Sequence, residues 1–245
     1  MYNLIKMEKY QLLHNLFYWC GIVCVFLLGF FTAETYVQEV MGAPGRAAAF
    51  LADIFNGMVY DSTFLLILTS SILALILGQE FSCRTINLEV ASGHSRKSIF
   101  FSKVITYLIA FNVMILVYPI AGCVREFSRF GISNGENFFY QVVKAALYSL
   151  LLNSVTFLIA IWICVSLRSA VKGIAVTAIT TFVMSLYLAY GMKLKLPIAF
   201  LPTYQIRRVV ASADFFHLWG ILVGGIWIIM LMFFSWLIFY KCELK

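Results

Sequence analysis

The chain has 245 residues, of which 62% are hydrophobic and 12% charged, and its formal net charge is +7. This apolar share lies far above that of soluble domains, so the composition excludes a soluble protein and indicates a membrane protein. Lys and Arg form no block long enough to predict nucleic-acid binding, and the positive charge fits basic loops beside anionic lipid.

The segment before the first long apolar run, residues 1–14, has the pattern of an amphipathic helix. At 100° per residue, apolar and basic side chains fall on different sides, which is typical of a helix in the lipid headgroup plane. The apolar side holds Met1, Ile5 and Leu12, and the basic side holds Lys6 and Lys9. Glu8 falls on the apolar side and does not fit this pattern. We predict an interfacial helix over 1–14.

Six apolar runs are long enough to cross a bilayer, because a core of about 30 Å needs about 20 helical residues. They cover residues 15–33, 58–78, 100–122, 141–166, 171–192 and 217–240. The first run is too long for a signal peptide and lacks a cleavage site. A period of two residues is absent, which argues against a β-barrel. The sequence therefore predicts one all-α transmembrane domain, residues 1–245, with six transmembrane helices.

The distribution of basic residues predicts the orientation of these helices. The loop after the first run, 34–53, is mainly acidic, whereas four cations concentrate in segment 79–97 and just after it. These cations are Arg84, Arg96, Lys97 and Lys103. We therefore predict that both termini and segment 79–97 face the cytoplasm.

Segment 79–97, QEFSCRTINLEVASGHSRK, is the most polar stretch between two adjacent spans. Projected as one continuous helix, it has two apolar faces. Phe81 and Leu88 lie on one face, Cys83, Ile86 and Val90 on the opposite face, and Glu80, Arg84 and Glu89 between them. A helix on a membrane surface needs only one apolar face. The second face therefore requires another protein or the inner ends of neighbouring spans.

The end of the same segment predicts a turn. Gly93 suits the left-handed position after a helix, and Ser95 can cap a helix that starts at Arg96. We therefore predict a helix-turn-helix elbow over 79–97.

This segment resembles a known family. Its matching residues are Glu80-Phe81-Ser82, Thr85-Ile86, Ser92-Gly93-His94-Ser95-Arg96, Ile99 and Lys103. They are similar to the coupling segment of the permease subunits of the second class of bacterial ABC exporters, which have the type V fold. That segment reads roughly E-[FY]-x-x-G-T-[IL], then S-x-x-S-R, an aliphatic residue and K. The opening NLIKMEKYQLL resembles the same family's amino-terminal interface helix. The chain departs from the pattern at Arg84, where the family usually has glycine.

The resemblance implies a permease subunit in the bacterial cell membrane that pairs with a second permease copy, a homodimer or a paralogue. It also implies a coupling helix that docks on a separate ABC ATP-binding subunit. The implied docking residues are Glu80, Phe81, Arg84, Ile86, Leu88, Glu89, Val90 and Arg96. No GxxxxGK[ST] motif occurs in the sequence, so we expect ATP and Mg to be bound by the partner subunit and not by this chain. We expect no enzymatic activity of the chain itself.

Two later segments are candidates for the route of an exported molecule. Thr177, Thr180, Thr181 and Ser185 share one face of the fifth span, where hydroxyl groups either pack against another helix or line a pathway. Segment 193–214 contains Pro197 and Pro202, which break a single helix, and resembles the family's outer re-entrant or interfacial helices. Its Arg207 and Arg208 are candidates for an outer gate or for anchoring to lipid phosphate. Permeases of this size resemble exporters of amphipathic peptides of toxin, bacteriocin or antibiotic type, including lantibiotic-immunity permeases.

Two other classes remain as alternatives. One is a stand-alone immunity or sensor protein that binds a peptide without any ATPase. The other is an intramembrane protease, because Gln79 to Arg84 faintly resembles an EExxxR motif. The second glutamate of that motif is missing, and the histidines, at positions 14, 94 and 217, do not lie deep in a span. The cysteines and histidines have no metal-site spacing.

Overall fold

The computed structural model describes residues 2–39, 47–83, 85–131, 135–212 and 214–241. In the seventh helix, side chains are described only from residue 138 onward. Within these ranges the chain forms helices and no strand. In chain order they are α1 (Tyr2–Leu13), α2 (Leu16–Gln38), α3 (Leu51–Tyr60), α4 (Thr63–Ser82), α5 (Thr85–Ala91), α6 (Arg96–Phe130), α7 (Gly135–Leu167), α8 (Ala170–Leu194), α9 (Pro202–Ala211) and α10 (Leu218–Lys241).

Six of these helices are long and apolar enough to cross a membrane: α2, α4, α6, α7, α8 and α10. The predicted class, an all-α protein with six candidate spans, is therefore confirmed. The helix α6 has 35 residues and extends beyond the predicted span 100–122 at both ends. A helix of that length measures about 52 Å, so its two ends project beyond a hydrocarbon core of about 30 Å.

The helix α3 was not predicted. The predicted second span, 58–78, begins inside α3, but the chain turns at Asp61 and Ser62, and the spanning helix α4 starts at Thr63. Asp53 stabilises the start of α3, because its carboxylate accepts hydrogen bonds from the backbone N–H groups of Ala49 and Phe50, both at 3.1 Å. The predicted boundary was wrong because the apolar run continues through the turn.

The spanning helices pack in pairs: α4 against α8, α2 against α6, and α7 against α10. Small residues allow the backbones of α2 and α6 to approach closely. At Gly29, a Cβ atom would overlap the Tyr118 carbonyl oxygen. Between α6 and α7, the rings of Phe111 and Phe157 stack with centroids 4.6 Å apart. The core therefore lies along α6, which contacts both α2 and α7.

Polar contacts hold the two ends of the helix bundle. At the α5 end, the Ala170 backbone N–H donates to Ser82 Oγ at 3.0 Å, and Arg96 donates to the Tyr240 carbonyl at 2.9 Å. At the opposite end, named the α9 end, Lys144 donates to the Ser212 carbonyl at 2.6 Å. Each spanning helix thus connects the α5 end with the α9 end, and the chain direction alternates from one span to the next.

Candidate functional site

The elbow forms in the way its turn residues predict. Gly93 has a φ of 89°, in the left-handed region that suits glycine. Ser95 caps α6, since its Oγ accepts a hydrogen bond from the Ser98 backbone N–H at 3.3 Å. The predicted cap and helix start are confirmed.

The single continuous helix assumed across this segment was wrong. The helix α4 ends at Ser82 and α5 begins at Thr85. Arg84, which replaces the glycine of the resembling family, lies outside the described residues. The two helices therefore have independent faces, and the angular positions predicted from one projection do not apply across the break.

The elbow is fastened to the rest of the chain by a buried ion cluster, which we name the Lys103 cluster: Glu8, Glu80, Glu89, Lys103 and Tyr107. The Lys103 ammonium contacts one carboxylate oxygen each of Glu8 at 2.6 Å, Glu80 at 2.7 Å and Glu89 at 2.9 Å. The Tyr107 hydroxyl donates to the other Glu80 oxygen at 2.6 Å. These side chains come from α1, α4, α5 and α6, so four helices meet at one ammonium group.

The Lys103 cluster has more acidic than basic groups. Glu8 is 1% exposed and Lys103 is 4% exposed. One carboxylate oxygen of Glu8 and one of Glu89 have no hydrogen-bond partner in the part of the chain that the structure describes. Burial, opposed by Lys103 and reinforced by Glu80 and Glu89, raises the pKa of Glu8 to about 7. A proton on Glu8 near neutral pH reduces the excess negative charge.

The centre of the same cluster is filled by the Lys103 ammonium. Among the described residues, no group of three or more His, Cys, Asp or Glu side chains is arranged to hold a metal ion. The Lys103 ammonium occupies the centre among the three carboxylates, where a cation would otherwise lie. The protein itself therefore supplies the positive charge at the centre of these three glutamates.

The predicted docking residues separate into two groups. Glu80 and Glu89 bind Lys103, Ile86 is 1% exposed, and Phe81 and Val90 are half-buried against the core. Leu88 is 70% exposed. The inner face of α5 is therefore covered by the chain's own helices, which was one of the two alternatives for the second apolar face. Leu88 is the large apolar side chain that α5 presents outward.

Two of the four hydroxyl residues of α8 bond within their own helix, whereas the buried Thr177 hydroxyl has no hydrogen-bond partner among the described residues. Thr181 donates to the Thr177 carbonyl and Ser185 to the Thr181 carbonyl, both at 2.8 Å. Thr177 and Thr181 are buried, whereas Thr180 and Ser185 are half-buried. The bonds of Thr181 and Ser185 to their own helix are compatible with helix packing. That these four residues line the route of an exported molecule stays a prediction.

Arg207 and Arg208 differ in their surroundings: Arg207 binds groups of the protein itself, and Arg208 is exposed. The Arg207 guanidinium binds Asp61 at 2.7 Å and Thr63 Oγ1 at 3.1 Å, and it donates to the Tyr60 carbonyl at 3.2 Å. Arg208 is exposed. Arg207 thus connects α9 to the junction of α3 and α4, and Arg208 is the one directed to the surroundings.

Three members of the Lys103 cluster had no predicted role. In the sequence, Glu8 stands out only as a charge on the apolar side of a helix, and Lys103 only as a residue of the family motif. The sequence gives no indication of a role for Tyr107. The available signal was a pair of opposite charges: Glu8 on the apolar side of its predicted helix and Lys103 inside the apolar run 100–122. Two such charges are both costly to bury alone, so pairing them is the physically favoured arrangement.

Together these features define a multi-pass helical membrane protein with an ion-paired elbow at one end. No model of a known protein family matches the sequence, and no curated protein matches it.

Proposed function

We propose that the chain is the transmembrane subunit of an ATP-driven exporter, with ATP hydrolysed by a separate subunit that docks on α5. One observation carries this proposal: the short helix α5 exposes Leu88 outward while Glu89, one residue later, is bound to Lys103 of α6. A helix that presents an apolar contact to a partner and is bonded to a membrane span suits the transmission of movement.

The Lys103 cluster supports this mechanism through its geometry. Charge-assisted hydrogen bonds are shorter and stronger than neutral ones, and they fix the direction of the groups that they join. A push on α5 therefore acts on α6 through Glu89 and Lys103, and on α4 and α1 through Glu80 and Glu8. We propose that ATP-driven closure of the partner subunits moves these four helices together and so opens the transport path.

The remaining parts of the proposal follow from this role. A second permease copy would complete the path, and the large apolar side chains exposed along α2, α8 and α10 face lipid or that copy. The apolar span surfaces suit amphipathic or hydrophobic peptides as cargo. The α5 end and both termini then face the cytoplasm of a bacterial cell, where the ATPase lies. Arg208 is the remaining candidate for contact with cargo at the outer end.

The test is copurification of the full chain with a candidate ATPase encoded beside it, combined with ATP hydrolysis in proteoliposomes. Leu88→Glu places a charge on the exposed tip of α5, so we expect loss of the complex or of stimulated hydrolysis. Phe216→Glu is the matched control, because Phe216 is similarly exposed, at 77%, but lies at the α9 end. The control variant is expected to retain both the complex and the stimulated ATP hydrolysis.

The alternatives give different results in the same experiment. A stand-alone immunity or sensor protein would protect cells from a peptide without forming any ATPase complex, and Leu88→Glu would leave that protection unchanged. Equal behaviour of Leu88→Glu and Phe216→Glu in both assays would overturn docking at α5.

A further inference from the structure

A lateral groove lies between α1, the beginning of α2 and α6, separate from the Lys103 cluster. It has a volume of about 440 Å³ and an almost wholly apolar wall. Trp19 and Ile22 form one side, and Ile109 and Val113 form the other. The Trp19 indole N–H donates to the Leu13 carbonyl at 2.6 Å, which fixes this wall to the end of α1. The groove is therefore a formed feature between three helices.

The length of the groove matches one leaflet of a bilayer. Along α6 it runs from Thr106 to Val117, which is about 17 Å at 1.5 Å per residue. Half of a hydrocarbon core of about 30 Å is about 15 Å. The groove also starts beside α1, at the level where the spanning helix α2 begins. An acyl chain that enters at the membrane surface therefore fits the groove down to the bilayer midplane.

Polar groups occur only at the α1 end of the groove. Lys9 lines this end and is exposed, so it presents a positive charge at the level of the lipid headgroups. The Thr106 side chain also lines the groove and is 5% exposed, and its hydroxyl has no hydrogen-bond partner among the described residues. A buried hydroxyl without a partner is costly, so a rotation of the Thr106 side chain that brings its hydroxyl to a ligand oxygen in the groove would be favoured.

We propose that this groove binds one anionic phospholipid. The lipid phosphate pairs with Lys9, an ester or glycerol oxygen meets Thr106, and one acyl chain lies between the walls of α2 and α6. The proposal depends on α2 and α6 crossing the membrane and not on the transport function. A neutral lipid would satisfy the apolar wall but not the charge of Lys9. An apolar helix of a second copy would fill the groove but would offer no phosphate to Lys9.

Native mass spectrometry of the full chain in detergent tests the proposal, with phosphatidylglycerol and phosphatidylcholine of equal chain length as the two probes. We expect the first phosphatidylglycerol to bind more tightly than phosphatidylcholine. Lys9→Ala should weaken phosphatidylglycerol binding about fivefold, the effect of one basic residue at an anionic lipid surface. Lys6→Ala is the matched control, since Lys6 lies on the same helix but does not line the groove.

A second pair of variants tests the acyl site separately. Val113→Trp fills the groove and should abolish retention of both lipids, whereas Ile179→Trp, on the exposed face of α8, should not. Equal affinity for the two lipids, equal effects of Lys9→Ala and Lys6→Ala, or unchanged retention in Val113→Trp would each overturn the proposal. A dimer that Val113→Trp converts to monomer, with no change in bound lipid, would assign the groove to a second copy instead.

Discussion

At the scale of single residues, the Lys103 cluster contains three glutamates around one ammonium group. An isolated buried carboxylate is strongly unfavourable, and the attraction to one lysine cannot balance three of them. Protonation of Glu8 is the simplest way to reduce this imbalance, because its pKa, about 7, lies within the physiological range. The contact between α1 and α6 is therefore sensitive to pH.

The raised pKa of Glu8 predicts that the stability of the folded chain falls as the pH rises. Because the folded pKa of Glu8, about 7, is above its ordinary value of 4.5, the folded chain holds the proton more tightly than the unfolded chain. This contribution is fully present below about pH 4.5 and is lost as the pH rises through 7. At 1.36 kcal/mol per pKa unit, it amounts to about 3 kcal/mol.

Thermal unfolding in detergent between pH 5 and pH 8 measures the effect. The Glu8→Gln variant keeps an uncharged side chain at every pH, so we expect a smaller fall in its unfolding temperature with rising pH than in the wild type. Glu39→Gln, an exposed position at the end of α2, should follow the wild type. If the unfolding temperatures of Glu8→Gln and the wild type fell equally with rising pH, Glu8 would not be the source of the pH dependence.

At the scale of helices, the contact between α2 and α6 depends on close backbone approach. The residues around Gly29 also bond across this contact, with Thr32 Oγ1 and the Tyr118 hydroxyl 3.0 Å apart. Gly29→Leu would force the helices apart, and overpacking of this kind costs about 1–3 kcal/mol. We expect a clear fall in unfolding temperature in detergent. Gly225→Leu is the control, because a Cβ at Gly225 meets nothing within 4 Å, and an equal fall in both variants would contradict this explanation.

The helices show which parts of the structure the sequence could predict. Spanning segments depend on apolar length, which is a local property, so all six were found. The helix α3 was missed because the apolar run continues through the turn at Asp61 and Ser62. The break after Ser82 was missed because no Gly or Pro marks it in the sequence. The pairing of Glu8 with Lys103 joins two segments far apart in the chain. The sequence indicates that each of these charges needs a partner, but only the tertiary arrangement shows that the two segments meet.

At the scale of the whole molecule, the two ends must lie on opposite sides of the membrane if the six candidate spans cross it. Leu88 lies at the α5 end and Phe216 at the α9 end, and both are exposed. With the native cysteines replaced, we expect Phe216→Cys to react with an impermeant maleimide in intact cells. Leu88→Cys should react only after the cells are broken. The reverse labelling pattern would contradict the predicted orientation and, with it, docking of a cytoplasmic ATPase at α5.

The Lys103 cluster also sets an order for biogenesis. Glu8 and Lys103 are 95 positions apart in the chain, and synthesis at about 5–20 residues per second separates their emergence from the ribosome by about 5–20 s. During that interval, Glu8 cannot pair with the Lys103 ammonium. The ion pair between α1 and α6 can therefore form only after the start of the third span has been made.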